Sequence, residues 1–214
     1  MTYVKICGIR TLKDAITACD LGADALGYNF YSKSKRYLSP ATAAEIQGEL
    51  SRRGYRVTGV GVFVNASSAE ICEIIADCNL GYAQLSGDET KEFAHSLPMP
   101  WFKAIRPQTD EDAHAQSLTF SRPNQRPALL VDAYRPGEYG GTGHTGDWGL
   151  AQTLAAQDPL YLAGGLTPDN VRQAIAQVRP WGVDVASGVE SAPGVKDAAK
   201  MKRFIEEAKS TRLV

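Results

Sequence analysis

Histidine and cysteine are both scarce in this chain. His95, His114 and His144 are the only histidines, and they are scattered without the spacing of a metal site. The four cysteines, Cys7, Cys19, Cys72 and Cys78, form no C-x-x-C pair and are too few to staple a chain of 214 residues. Cys72 and Cys78 stand six apart in a helical stretch, which does not share a face, so with Cys19 they read as helix packing. Neither charge dominates: 23 Lys and Arg against 24 Asp and Glu leave a net charge of -1. That balance argues against nucleic acid as a partner. No apolar run reaches the roughly 18 residues that span a bilayer. The opening MTYVKICGIRT lacks a basic segment followed by an apolar one and a cleavage site, so no export signal is visible. The expectation is a cytoplasmic protein with no metal and no membrane partner.

What is present is a regular alternation. With 43% hydrophobic residues the chain can bury a substantial core. Eight runs rich in Val, Ile, Tyr and Phe read as strands: YVKIC (3–7), DALGYNF (24–30), RVTGVGVFV (56–64), LGYAQLS (80–86), PWFKAI (100–105), PALLVDA (127–133), PLYLAG (159–164) and WGVDVA (181–186). Helical patterns lie between them. Leu12, Ala15, Ile16 and Cys19 share a helical face, with Thr11 as cap and Gly22 as stop. Ser39-Pro40 starts a second helix, and Ser67 to Glu70 is a capping box for a third. Thr167-Pro168-Asp169-Asn170 is a further cap with proline at the first position, and a last helix runs over about 195–209.

Eight such units without a linker or a break in composition predict one (β/α)₈ barrel domain over residues 1–214. An open doubly wound sheet is the alternative. It would favour five or six strands and an early glycine-rich nucleotide turn, which this chain lacks.

In such a barrel the chemistry sits at the carboxyl ends of the strands. Glycine-bearing turns collect there: GGTGHTGDW (140–148), LAGGLTPDN (162–170) and ASGVESAPG (186–194). The last two follow strands 7 and 8, where backbone N–H groups and helix amino termini cradle a phosphate. A small phosphorylated ligand is therefore expected. Lys5 and Cys7, about 6.6 Å apart along the first strand, share its inner face. Because strand 8 closes against strand 1, Asp184 is placed to neutralise Lys5 as a buried ion pair.

The ordered set VKICGI with Cys7, residues 27–39 with Arg36, GVFVN, QLSGDE, LLVDA with Asp132, GGTGHTGDW, LAGGLTPDNV and GVDVASGVESAPGVKD resembles the phosphoribosylanthranilate isomerases of tryptophan biosynthesis. The resemblance runs from about residue 3 to residue 200. It implies a (β/α)₈ barrel that uses neither metal nor cofactor and performs an Amadori rearrangement of N-(5-phosphoribosyl)anthranilate. It further implies Cys7 as general base, Asp132 as general acid, and Arg36 on the anthranilate carboxylate. Gln84, Gly141, Gly143, Gly164, Gly165, Ser187 and Gly188 complete the substrate-binding set. The sequence departs from the usual pattern at Ser86, where histidine is common. It departs also at Gly146, where an aromatic is usual, and at Ala186, where serine is.

The chemistry asks for Cys7 lowered below the ordinary thiol pKa, with Lys5 the nearest cause, and for Asp132 raised by burial against Tyr134 or Trp148. Two other functions remain open at this point. One is the histidine-pathway isomerase, which resembles this chain in reaction but carries an aspartate where Cys7 stands. The other is a phosphosugar-binding barrel without turnover. A monomer is expected rather than a dimer.

Overall fold

The computed structural model describes residues 1–132 and 148–211. Its elements are β1 (Tyr3–Cys7), α1 (Leu12–Asp20), β2 (Ala25–Asn29), α2 (Pro40–Arg52), β3 (Thr58–Phe63), α3 (Ser68–Asp77), β4 (Tyr82–Leu85) and α4 (Lys91–Ser96). They continue with β5 (Trp101–Ile105), α5 (Asp110–Phe120), β6 (Leu129–Val131), α6 (Trp148–Ala155), β7 (Leu160–Leu162), α7 (Val171–Val178) and β8 (Gly182–Val185). A 3₁₀ turn (Ser187–Val189), β9 (Glu190–Ala192), β10 (Val195–Lys196) and α8 (Ala198–Ser210) complete the order.

Strands β1 to β8 pair in parallel and in sequence order, and β8 returns to β1, so the sheet is a closed barrel. Lys5 is in register with Asp184 at that closing seam and with Ala25 on the other side. The period of two sends alternate residues inward and outward. The outward set packs under the helices in a large apolar cluster that includes Ile6, Leu26, Phe63, Leu85, Trp101, Ile105 and Val183. The inward set forms a smaller cluster of Ala25, Val60, Phe102, Ala104, Leu130, Tyr161 and Ala163.

Aromatic rings fill the barrel near the amino ends of its strands. Tyr3 stacks on Trp181 at 4.5 Å between centroids, Trp181 meets Tyr161 edge-on at 5.1 Å, and Phe102 bridges Tyr161 and Tyr82. This layer buries apolar area at the end where no chemistry is needed. The polar inward residues are left for the opposite end.

The caps read from sequence at Thr11, Ser39 and Ser67 each accept the backbone N–H three residues on. Such a bond is worth about 1 kcal/mol per helix. Gly22 takes φ +92°, as a stop requires.

Two helix starts differ from the sequence reading. Thr167 does not cap α7. Its N–H donates to Asn170 Oδ1 at 2.8 Å, and the Asn170 amide donates to the Gly165 carbonyl at 2.9 Å. The turn is closed on itself, and the helix begins only at Val171. The last helix begins at Ala198 with Asp197 as its cap, accepting the Lys200 N–H at 3.0 Å. The residues ahead of it form an antiparallel hairpin, with Val195 paired to Ala192 and Lys196 to Glu190 around Pro193-Gly194. Gly194 supplies the positive φ, +79°, that such a turn needs.

Candidate active site

The carboxyl ends of the strands and the loops that follow them surround a cavity of about 730 Å³. Cys7 lines it from the end of β1 and Asp132 from just beyond β6, so the expected base and acid share one cavity. Gly164 and Gly165 line it after β7, both at positive φ (+87° and +66°), and Ser187 lines it after β8. Gly188 stands behind that wall. A Cβ there would run into the Leu166 carbonyl, so glycine is what lets the β7 and β8 turns lie against each other. Gly141, Gly143, Tyr134 and Gly146 lie outside the described residues.

Below the cavity lies a buried charged layer. The Lys5 ammonium is fully buried; it donates to Asp184 Oδ1 at 2.7 Å and to Gln84 Oε1 at 3.0 Å. Gln84 passes the chain on, its amide donating to Ser86 Oγ at 3.1 Å. Burial works against the Lys5 ammonium, but Asp184 and Cys7 outweigh it and hold its pKa above the ordinary lysine value.

Cys7 goes the other way from the sequence expectation. Its burial is the largest influence and raises the thiol above its usual value, although Lys5 and Lys196 both pull it down. Two cations in a dry site do not make up for lost hydration of the sulfur anion, because Asp184 opposes them. Trp148, one of the two side chains expected near Asp132, has its indole N–H buried with no hydrogen-bond partner among the described residues.

Arg36 lines the cavity and is already held on one edge. Its Nε and Nη2 donate to the two oxygens of Glu190 at 2.7 and 2.8 Å. Glu190 also accepts from Lys196 at 2.9 Å, and Lys196 donates to the Ala186 carbonyl at 3.0 Å. Sequence reasoning missed Glu190 and Lys196. The signal was the Pro193-Gly194 turn between two short polar-apolar runs, which marks a hairpin.

Arg106 was missed as well. It lines the cavity just beyond β5 and donates from Nη2 to the Ser86 carbonyl at 2.9 Å. Ser86 is held in turn by a buried pair behind it. Lys103 Nζ meets Glu89 Oε2 at 2.6 Å, and Glu89 accepts the Gly87 and Asn65 N–H groups at 3.0 and 2.9 Å. Basic side chains thus gather at a mouth whose turns after β7 and β8 are rich in glycine. That combination suits a ligand carrying a phosphate and a second anionic group.

The family model for N-(5'-phosphoribosyl)anthranilate (PRA) isomerase matches residues 4–207. The chain belongs to this isomerase family. The N-(5'-phosphoribosyl)anthranilate isomerase of Geotalea uraniireducens is 46% identical over 209 residues, which cover 98% of this chain and 99% of that protein. The crystal structure of phosphoribosyl anthranilate isomerase from Thermotoga maritima superposes with a TM-score of 0.87 at 40% identity, covering 98% of this chain and 99% of that one. A second isomerase structure, in complex with reduced 1-(o-carboxyphenylamino)-1-deoxyribulose 5-phosphate, has a TM-score of 0.84 at 38% identity and the same coverage. Isomerase chemistry and the barrel thus go together across the full length of the chain.

Proposed function

We propose that this chain isomerises N-(5'-phosphoribosyl)anthranilate to 1-(o-carboxyphenylamino)-1-deoxyribulose 5-phosphate in tryptophan biosynthesis, with Asp132 as the acid and Cys7 as the base. The observation that carries the reading is that these two groups, 125 positions apart in sequence, line one cavity.

The reaction needs one proton delivered and one removed. Asp132 protonates the ribose ring oxygen as the C1–O bond breaks, leaving a protonated imine at C1. Cys7 then takes the proton from C2, and the electron pair moves to give the enolamine, which tautomerises to the ketose. Each transfer contributes on the order of 10²–10⁴-fold.

Burial raises the pKa of the free-enzyme thiol, so the base is the thiolate fraction, whose proton has left to solvent. The anion, once formed, is correspondingly basic. Lys5, bonded to Asp184 and Gln84, sustains the anion at the base of the site. We assign the phosphate to Gly164, Gly165, Ser187 and the backbone near Gly188, with Gly141 and Gly143 from the GGTG turn. We assign the carboxylate to Arg36, which has three N–H groups not committed to Glu190. Gln84 holds the floor through Lys5 and Ser86.

The same reading has the chain act as one domain over 1–214, as a monomer and in the cytoplasm. Charged sugar phosphates do not leak across apolar barriers, which suits a site inside the cell. Among the described residues no helix is long and apolar enough to cross a membrane.

The test is the loss of fluorescence of freshly made phosphoribosylanthranilate. Cys7→Ser and Asp132→Asn are each expected to lower kcat by about 10²–10⁴-fold with KM within a few-fold. A variant that keeps most of its kcat would remove that residue from its role. The end of β1 favours this reaction over its histidine-pathway counterpart, because a thiol stands where that enzyme places an aspartate.

A further inference from the structure

Arg36 is fixed at more than one point. Its stem lies over Gly8, the residue after Cys7: a Cβ on Gly8, which sits at φ +76°, would come within 2.6 Å of Arg36 Cδ. Its head is gripped by both oxygens of Glu190 through Nε and Nη2. That side-on grip uses two of the five guanidinium N–H groups and leaves the Nη1–Nη2 edge, which can take a second carboxylate in the bidentate manner.

Glu190 is itself immobilised. Lys196, whose side chain is fully buried, holds Oε1 at 2.9 Å, and the Glu190 carbonyl accepts from Lys200 at 2.7 Å. Glu190 thus offsets one of the two cations on its carboxylate, Arg36 and Lys196, and leaves this corner of the cavity cationic for an incoming anion.

We propose that Glu190, held by Lys196, is a positioning residue that presets Arg36 so that its free edge receives the ring carboxylate of the substrate. The proposal rests on the assignment of that carboxylate to Arg36 and adds the device that orients it. An arginine left loose would lose several rotors on binding, each at a cost of affinity. A guanidinium clamped side-on has lost them already. Burial raises the Glu190 carboxyl, and the hydrogen bonds from Arg36 and the charge of Lys196 outweigh it, so the clamp is ionised at working pH.

The experiment compares two ligands: the reduced product analogue with its ring carboxylate, and the same molecule without that carboxyl group. The affinity ratio between them is measured by calorimetry for wild type, Arg36→Met and Glu190→Gln. In both variants the ratio is expected to fall by about tenfold or more, while the affinity for the decarboxylated ligand stays within about twofold.

If Glu190→Gln weakens both ligands equally, Glu190 is only structural and the proposal is overturned. A ratio lost in Arg36→Met and kept in Glu190→Gln overturns the proposal alone. A ratio kept in Arg36→Met overturns the carboxylate assignment beneath it. Because Glu190→Gln leaves Lys196 buried without its anion, the double variant Glu190→Gln/Lys196→Met is the folding-tolerant version. Its expected ratio is that of the single variant.

Discussion

Gly27 on β2 lies directly against Cys7 on β1. A Cβ built on Gly27 would stand 2.7 Å from Cys7 Sγ and 3.1 Å from Lys5 Nζ. The absence of a side chain on one strand is therefore what makes room for the Cys7 thiol and the Lys5 ammonium on the next. Gly27→Ala is expected to push the sulfur from its place and to lower kcat by at least about tenfold, since small misplacements of a reacting group are costly. Unaltered kcat, with the fold retained by circular dichroism, would show that the sulfur's position there is not critical.

The titration of Cys7 can be read directly by alkylation. Burial raises the thiol above its ordinary value of about 8.5. The thiolate fraction of the free enzyme therefore climbs across the whole neutral range, and iodoacetamide labelling of Cys7 is expected to rise from pH 6 to 9. A plateau in labelling by pH 7 would mean that Lys5 and Lys196 win over burial.

Lys5 holds the barrel's closing seam through its pair with Asp184. Lys5→Met leaves Asp184 buried without its cation, and removal of one partner from such a pair costs about 3–5 kcal/mol. The sign with pH follows from the raised lysine pKa. The wild-type contribution is fully present below the ordinary lysine value of about 10.4 and is lost as pH rises through the folded value. Urea melts of the two proteins should differ most at neutral pH and converge only in strong alkali.

Glu89 and Lys103 make a second buried pair, which shapes the loop carrying Ser86. Burial pulls the Lys103 ammonium down and Glu89 opposes it. Glu89→Gln removes the opposition, so the variant should lose about 3–5 kcal/mol at pH 7. A lysine depressed in the fold binds fewer protons there than in the unfolded chain, so stability rises with pH over that window. The deficit of the variant is thus expected to shrink toward pH 10. A Tm difference independent of pH would contradict this.

Local physics made much of the fold legible. Thr11, Ser39 and Ser67 cap the helices read from them, and β1 spans the same Tyr3–Cys7 predicted from its apolar run. The other strands are shorter than their sequence runs. Residues such as Asp132, Ala163 and Ala186 leave the ladder to face the cavity. Thr167 and the hairpin at Glu190–Lys196 were misread because local propensity was overridden, by the Asn170 side chain in one case and by a Pro-Gly turn in the other.

The sequence by itself determined the alternation of strands and helices, and with it the closed barrel and the pairing of Lys5 with Asp184. Both follow from periods of two and 3.6 residues and from the need to neutralise a buried charge. Only the tertiary structure decided that Arg36 is clamped by Glu190, that Gly27 vacates space for Cys7, and that the thiol is raised rather than lowered. These depend on distances between residues far apart in the chain and on how completely water is excluded around them, and neither is encoded in any local stretch.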